Sequence, residues 1–257
     1  DSATIIHVDL SAEWLGKNYA VDVPILADIQ ATVDRLNERI DPTDFEENAD
    51  RIASIAAAKA EWYDEWAPEL ESTATPINPQ RVINDIQSVA PDDTILVAAT
   101  SYPGFSTAAF FQVELPGQRY LQSRGSDGIN FCLPQALGAQ AANPDASVIA
   151  ATGDGGIAYH IGEFETAVRE DLPVTVVVYN NDSLASSEAS QMKDVGVAIN
   201  TGLTPTNFAQ VAEGFGGEGV VVEDPRNLES AIENAIDTDV ATILDVKVDT
   251  EPTPPGS

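Results

Sequence analysis

The chain has 257 residues, 42 of them Asp or Glu against 12 Lys or Arg, for a formal charge of −30. Its 43% hydrophobic content, with three Trp, six Tyr and eight Phe, is enough for a packed core and excludes a disordered acidic tail. A charge of that sign repels phosphate backbones and anionic lipid, so nucleic acid and membrane surfaces are excluded as partners, and no run of about 18 apolar residues offers a membrane span.

The acids are dispersed and only four residues are Lys, a pattern expected of a halophile's surface rather than of ordinary acidic drift. The single Cys, Cys132, excludes a disulfide framework, and with no signal peptide in view the expected compartment is the cytoplasm. The length fits one large α/β domain, or one domain and a fragment. The chain opens at Asp1 without a Met and runs directly into a strand, residues 4–10. That start is expected of a fragment, a processed chain or a recombinant piece.

After this strand the pattern predicts a helix over roughly 27–40. An acidic helix rich in Ala and Trp follows over about 45–70, then a linker over 71–76. Asn78-Pro79 pairs a capping side chain with Pro at the first helical position and opens a helix with Val82, Ile83, Ile86 and Val89 inward. Apolar runs of strand length follow at 94–98, 147–151 and 174–179. Between the last two, Thr152-Gly153-Asp154-Gly155-Gly156 leads into a helical pattern carrying Ile161, Phe164, Ala167 and Val168. Residues 184–203, with Gly196 and Gly202, are expected to be a mobile loop containing Met192. Thr204-Pro205 predicts a second helix start, closed by Gly216-Gly217, and Asp224-Pro225 a third, with strands at 219–222 and 242–248. The Pro-rich residues 251–257 are expected to be a loose tail.

Strands apolar on both faces, alternating with helices, predict an α/β fold: a doubly wound parallel sheet flanked by helices. One βα unit cannot bury a core alone, so residues 1–40 are expected to be the end of another domain. A connecting helix and linker over 41–76 then precede a domain over 77–250.

Two strand ends carry chemistry. The Gly-rich turn after 147–151 lets backbone N–H groups approach an anion at a helix start. It lacks the Lys of a P-loop and the glycine spacing of a dinucleotide fingerprint. An Asp between glycines would repel phosphate unless a cation lay between, which makes Asp154 a ligand for Mg2+ bridging to phosphate oxygens. The bland alternative is a plain Gly-Asp-Gly turn. The next strand ends at Asn180-Asn181-Asp182-Ser183, either a common strand-end turn or a second set of hard oxygen ligands beside the first. His160, His7, Trp14, Trp62 and Trp66 are expected to be capping, structural or packing residues, and Cys132 a small buried hydrophobe.

Taken together, Gly153-Asp154-Gly155, 24 residues, then Asn180-Asn181 resembles the signature of thiamine diphosphate-dependent enzymes. The stretch 163–174 and the glycine-bearing segment 123–139 are similar to those of the acetolactate synthase and benzoylformate decarboxylase branch. Residues 3–28, with His7-Val8-Asp9, Gly16-Lys17-Asn18 and Val23-Pro24-Ile25, resemble the end of that branch's Rossmann-like central domain, of which residues 1–40 would be a remnant. The resemblance covers nearly the whole chain, as the C-terminal half of such an enzyme.

The resemblance implies thiamine diphosphate and Mg2+ as cofactors, a small 2-oxo acid as substrate, and a homodimer or tetramer. Asp154 and Asn181 would bind the metal by side-chain oxygens and Ser183 by its carbonyl. Gly153, Gly155 and Gly156 would cradle the diphosphate, and Ile129 would wedge the cofactor into its bent form. The backbone of Asp127 and Ile129 would hold the pyrimidine edge, with Thr100-Ser101 as a second diphosphate contact. Family enzymes carry the proton-relay Glu on a pyrimidine-binding domain, to which no Glu here corresponds. The chain would then need that domain, in a missing part or a partner, and alone turn over nothing. Arg124, Asp127, Asn130 and Cys132 depart from the family's small residues, and segment 182–191 lacks the Trp that acetolactate synthases carry there. The competing reading is a non-catalytic fragment or degenerate paralogue that keeps only fold and oligomer contacts.

Overall fold

Runs such as Val148-Ile149-Ala150-Ala151 and Val176-Val177-Val178 have no polar face, so they are stable only between two helical layers. The computed structural model describes residues 3–41, 48–117, 119–125, 128–129 and 131–250. These fall into two compact units that divide between Glu61 and Trp62.

In the first unit β1 (Ile6–Asp9) and β2 (Val23–Leu26) form a parallel pair, Ile6 opposite Val23 and Asp9 opposite Leu26. The helix α1 (Ile29–Asn37) is capped by Asp28, whose carboxylate accepts from Ala31 N at 2.9 Å. His7 has the structural role expected of it, its Nδ1 accepting from Gly16 N at 3.3 Å. Trp14 is not a core residue: it is half exposed, with the Lys17 ammonium 3.5 Å above its ring. The helix α2 (Ala49–Leu70) runs across the division, and its predicted start near Phe45 lies outside the described residues.

The second unit is a six-stranded, wholly parallel sheet in the order β4-β3-β5-β6-β8-β7. Four of its strands, β3 (Ile95–Ala98), β5 (Val148–Gly153), β6 (Thr175–Asn180) and β8 (Thr242–Lys247), are buried over nearly all their length. The edges are β7 (Glu218–Val222), largely exposed, and the three-residue β4 (Tyr120–Gln122), which sequence reasoning missed. One face packs on α5 (Cys132–Ala142), α7 (Glu163–Arg169) and α9 (Phe208–Phe215) through Leu133, Phe164 and Phe208. The other packs on α3 (Pro79–Val89), α4 (Tyr102–Phe110) and α10 (Leu228–Ile236) through Ile83, Phe110 and Ile232. This is the doubly wound architecture the alternation predicts. Trp62 and Trp66 pack around Phe110, with ring centroids 6.0 and 5.7 Å from it. Cys132 is buried, and burial pushes its thiol up to about 12, so it behaves as a hydrophobe.

Four local expectations are corrected. Thr204-Pro205 does not open a helix. The carbonyl of Thr206 accepts from Asn180 Nδ2 at 3.0 Å, which keeps this segment extended. The helix α9 starts instead at Phe208, whose N–H goes to Asp245, with Asn207 capping Gln210 N. The helix expected after the glycine turn is two pieces, the short α6 (Asp154–Ile157) and α7, with His160 in the turns between them rather than in a first helical turn. The loop expected over 184–203 contains a helix, α8 (Ala185–Val195), closed by Gly196 at φ 74°. Asp224 does accept from Arg226 N, but it caps a 3-10 turn, Pro225–Asn227, that leads into α10.

Salt is expected to stabilise this fold through its net charge. Between about 0.1 M and about 1 M KCl the Debye length falls from about 10 Å to about 3 Å, which screens repulsion among the dispersed carboxylates. Thermal unfolding followed by circular dichroism across that range should give a rising Tm; a flat profile would contradict the reading of the surface.

Candidate functional site

In an open parallel sheet, ligands bind outside the carboxyl ends of the strands, where the strand order reverses. Here that place lies between β3 and β5, since the chain leaves β3 for β4 on one side and later returns to β5 on the other. A cavity of about 320 Å³ opens there, at the ends of β3, β5 and β6. Its walls include Thr100, Ser101, Ile129, Gly153, Asp154, Gly155, Gly156, Asn181 and Ser183. The fold thus gathers, from four places in the chain, every singled-out site residue except Asp127, which lies outside the described residues.

Asp154 begins α6 and is only 6% exposed. Its Oδ1 accepts from Gly155 N at 2.6 Å and its Oδ2 from Asn181 N at 3.1 Å. Burial raises its carboxyl above the ordinary range, while the backbone N–H groups of Gly155, Asn181, Asp182 and Ser183 pull the other way. All four opposing partners are neutral dipoles, and none is a cationic side chain. A buried carboxylate in this state has unused affinity for a cation.

The facing turn is built by its own side chains. Asn181 Oδ1 accepts from Ser183 N at 3.1 Å, an Asx-turn that fixes the carbonyl direction of the segment. Asn180 Oδ1 accepts from Asp182 N at 3.3 Å, and Asp182 takes a left-handed φ of 54°. Behind the turn, Asn180 Nδ2 donates to Asp245 Oδ1 at 2.8 Å. The fully buried Asp245 also accepts from Phe208 N and Lys247 Nζ, both at 3.0 Å. This network ties β6, β8 and α9 to the turn that presents Asn181.

Sequence reasoning missed the cavity's far wall. Ser183 Oγ donates to Glu188 at 2.7 Å, and the Oγ atoms of Ser101 and Ser186 lie 2.6 Å apart, so α8, whose Ala185, Ser186 and Ser187 line the cavity, is fastened to its wall. Pro79, Tyr179 and Val248 also line the cavity. Tyr179 carried one overlooked signal, as the single polar side chain among Val176-Val177-Val178-Tyr179.

Ser101 is strained. Its φ of 81° with ψ of −155° lies in a region occupied almost only by glycine. Such strain costs about 1–3 kcal/mol, against which a glycine would set about 0.5–1 kcal/mol of lost chain entropy. Ser101→Gly is therefore expected to raise stability by about 1 kcal/mol, or roughly 2–4 °C in Tm. A fall in Tm would show that the Ser186 contact outweighs the strain.

The family described as thiamine pyrophosphate enzyme, C-terminal TPP binding domain, matches residues 102–246. The chain is 28% identical over 265 residues to the "Probable acetolactate synthase large subunit" of Methanococcus aeolicus, covering 96% of this chain and 43% of that one. It is 26% identical over 258 residues to the acetolactate synthase isozyme 3 large subunit of Escherichia coli (strain K12), covering 96% and 44%. Among solved structures, the thiamine diphosphate-dependent 4-hydroxybenzoylformate decarboxylase of Rhodococcus jostii RHA1 has a TM-score of 0.74 at 24% identity. That match covers 97% of this chain and 44% of the other, and it shows the fold. The chain spans less than half the length of these relatives.

Proposed function

We infer that this chain, which belongs to the thiamine pyrophosphate enzymes by its C-terminal TPP-binding domain, holds the diphosphate and Mg2+ of a thiamine diphosphate-dependent 2-oxo acid carboligase or decarboxylase. The observation that carries the reading is Asp154: a buried carboxylate with only backbone N–H partners, between a glycine turn and an Asx-turn on one cavity wall.

The donor set suits the metal. A carboxylate oxygen of Asp154, the amide oxygen of Asn181 and the carbonyl of Ser183 are hard ligands of the kind Mg2+ takes. Among the described residues no three His, Cys, Asp or Glu side chains gather to hold a metal. An ion here would draw its remaining ligands from phosphate oxygens and water, which is the usual habit of Mg2+. The glycines suit a diphosphate: a Cβ at Gly153 would stand in open space, and one at Gly155 would fall 2.5 Å from Leu184 Cδ2. Gly155 and Gly156 would offer N–H groups to the phosphate, with Thr100 and Ser101 across the cavity. Ile129, half exposed on the wall, would hold the cofactor bent, and the backbone of Asp127 and Ile129 would take its pyrimidine edge.

When bound, thiamine diphosphate supplies the nucleophilic carbon and the electron sink for work on a 2-oxo acid. The chain's own part is to fix the diphosphate end and to orient the rest. Proton relay to the pyrimidine would come from a separate pyrimidine-binding domain or subunit in a dimer or tetramer. In this reading residues 1–40 close a central domain, 41–76 connect, and 77–250 form the binding domain. The chain by itself would hold cofactor without turnover.

Calorimetric titration of the chain with thiamine diphosphate tests the reading. Saturable binding is expected with Mg2+ and none with the metal chelated; absence of binding in both conditions would overturn it.

A further inference from the structure

One group lining the cavity has no part in the roles above. Tyr179 is the second-last residue of β6, and its register partner across the sheet is Gly153. Paired residues of neighbouring parallel strands send their side chains to the same face. Gly153 has none, and a Cβ placed there would meet nothing within 4 Å. The Tyr179 ring therefore borders the space that Gly153 leaves open, at the start of the glycine turn.

Tyr179 is 3% exposed, and its hydroxyl has no hydrogen-bond partner among the described residues. The neighbouring wall offers little to satisfy it. The Val248 N–H goes to the carbonyl of Asn180, and Val248 pairs with Ile77. Pro79, two residues on, has no N–H, and the carbonyl of Pro103 is taken by the Thr107 hydroxyl at 2.7 Å. Buried hydroxyls in native proteins are rarely left unpaired, and an exception in a cavity wall calls for a partner from the cavity itself. A phenol is protonated at neutral pH, so the hydroxyl is an O–H donor. A lone donor beside a glycine turn complements an oxyanion.

We propose that Tyr179 is a further ligand-binding residue of this cavity, its hydroxyl donating a hydrogen bond to an oxyanion seated on the turn Gly153–Gly156. The inference rests on the diphosphate reading and adds to it a residue from the strand interior. Inorganic pyrophosphate with Mg2+ is the probe, titrated calorimetrically into the wild-type chain, Tyr179→Phe and Asp154→Ala. A charge-assisted bond lost without a change of shape should weaken Tyr179→Phe by about tenfold or more. Its Tm without ligand should equal or exceed that of wild type, because an unpaired hydroxyl has been removed from the interior. Wild-type affinity in Tyr179→Phe, with binding lost in Asp154→Ala, would overturn the role of the phenol and leave the diphosphate reading standing. A Tm lowered in the absence of ligand would also overturn it, since the hydroxyl would then serve a partner within the protein. Failure of the wild-type chain to bind pyrophosphate would overturn both.

Discussion

Asp154→Ala is expected to weaken Mg2+-dependent diphosphate binding by at least about 100-fold. The substitution removes the one carboxylate of the proposed donor set, and the two remaining oxygens, from Asn181 and Ser183, are neutral. The same residue should set a measurable opposition between binding and stability. Its folded carboxyl lies above the ordinary value because burial outweighs four backbone N–H groups. A raised carboxyl favours the fold when protonated. Its contribution is fully present below about pH 3.9, the unfolded value, and is lost as pH rises through the folded one. At neutral pH, with no cation bound, ionised Asp154 is thus a net cost to the fold. Asp154→Asn removes that charge at nearly constant shape, but it turns one of the two oxygens that accept the Gly155 and Asn181 N–H groups into a donor. The charge effect is read from the pH dependence: the Tm of the variant relative to wild type should rise between about pH 4 and about pH 7. Mg2+ with pyrophosphate should raise the Tm of wild type and leave the variant unmoved. Thermal scans at two pH values, with and without the ligand pair, contain all of these comparisons. An Asp154→Asn chain that still gains Tm from the ligand pair would place the metal elsewhere.

Much of this arrangement was legible in the residues because local chemistry and tertiary environment agree there. Asn78-Pro79 predicted a helix start, and Asn78 does cap Gln80 N at 2.9 Å. The β-branched runs predicted covered strands, and β5, β6 and β8 are buried on both faces. The turns after β5 and β6 converge because adjacent parallel strands end side by side, which the alternation already implied.

What escaped depends on partners distant in sequence. Residues 185–195 have no apolar stripe, with Ala185 their only buried residue, so nothing in their spacing distinguishes α8 from a loop. Bonds from Ser183 and Ser101, the latter 85 residues away, hold that segment to the cavity wall. β4 is three residues long and is defined only by its pairing with β3. Thr204-Pro205 has the composition of a helix start, but the first free N–H of α9 is claimed by Asp245, which sits 37 residues further on. Tyr179 read as core by its position within a Val run; that its hydroxyl lacks a partner is a fact of three dimensions.

Asp245→Ala is expected to destabilise the second unit by about 3–5 kcal/mol. Asp245 is fully buried in β8, yet it is ionisable, and it is kept there by three donors. Truncation leaves the Phe208 N–H without its acceptor, at about 1–3 kcal/mol, and takes from Asn180 Nδ2 one of its two acceptors, the Thr206 carbonyl remaining. Lys247 contributes less to the loss, because it is 30% exposed and can turn to water. Asp245→Asn retains one acceptor oxygen and should cost about half as much. Urea denaturation should show a lower midpoint with an unchanged slope, since the same surface is exposed on unfolding. A loss below about 1 kcal/mol would mean that water replaces the carboxylate. The damage should also reach the cavity. Without Asp245, Asn180 is oriented by the Thr206 carbonyl alone, so its Oδ1 holds the Asp182 N–H less firmly and the left-handed φ at Asp182 is less restrained. The Asx-turn that aims Asn181 would loosen, so pyrophosphate affinity should fall in Asp245→Asn even at temperatures where the chain remains folded. A variant with lowered stability but wild-type affinity would confine the network to holding α9 against the sheet.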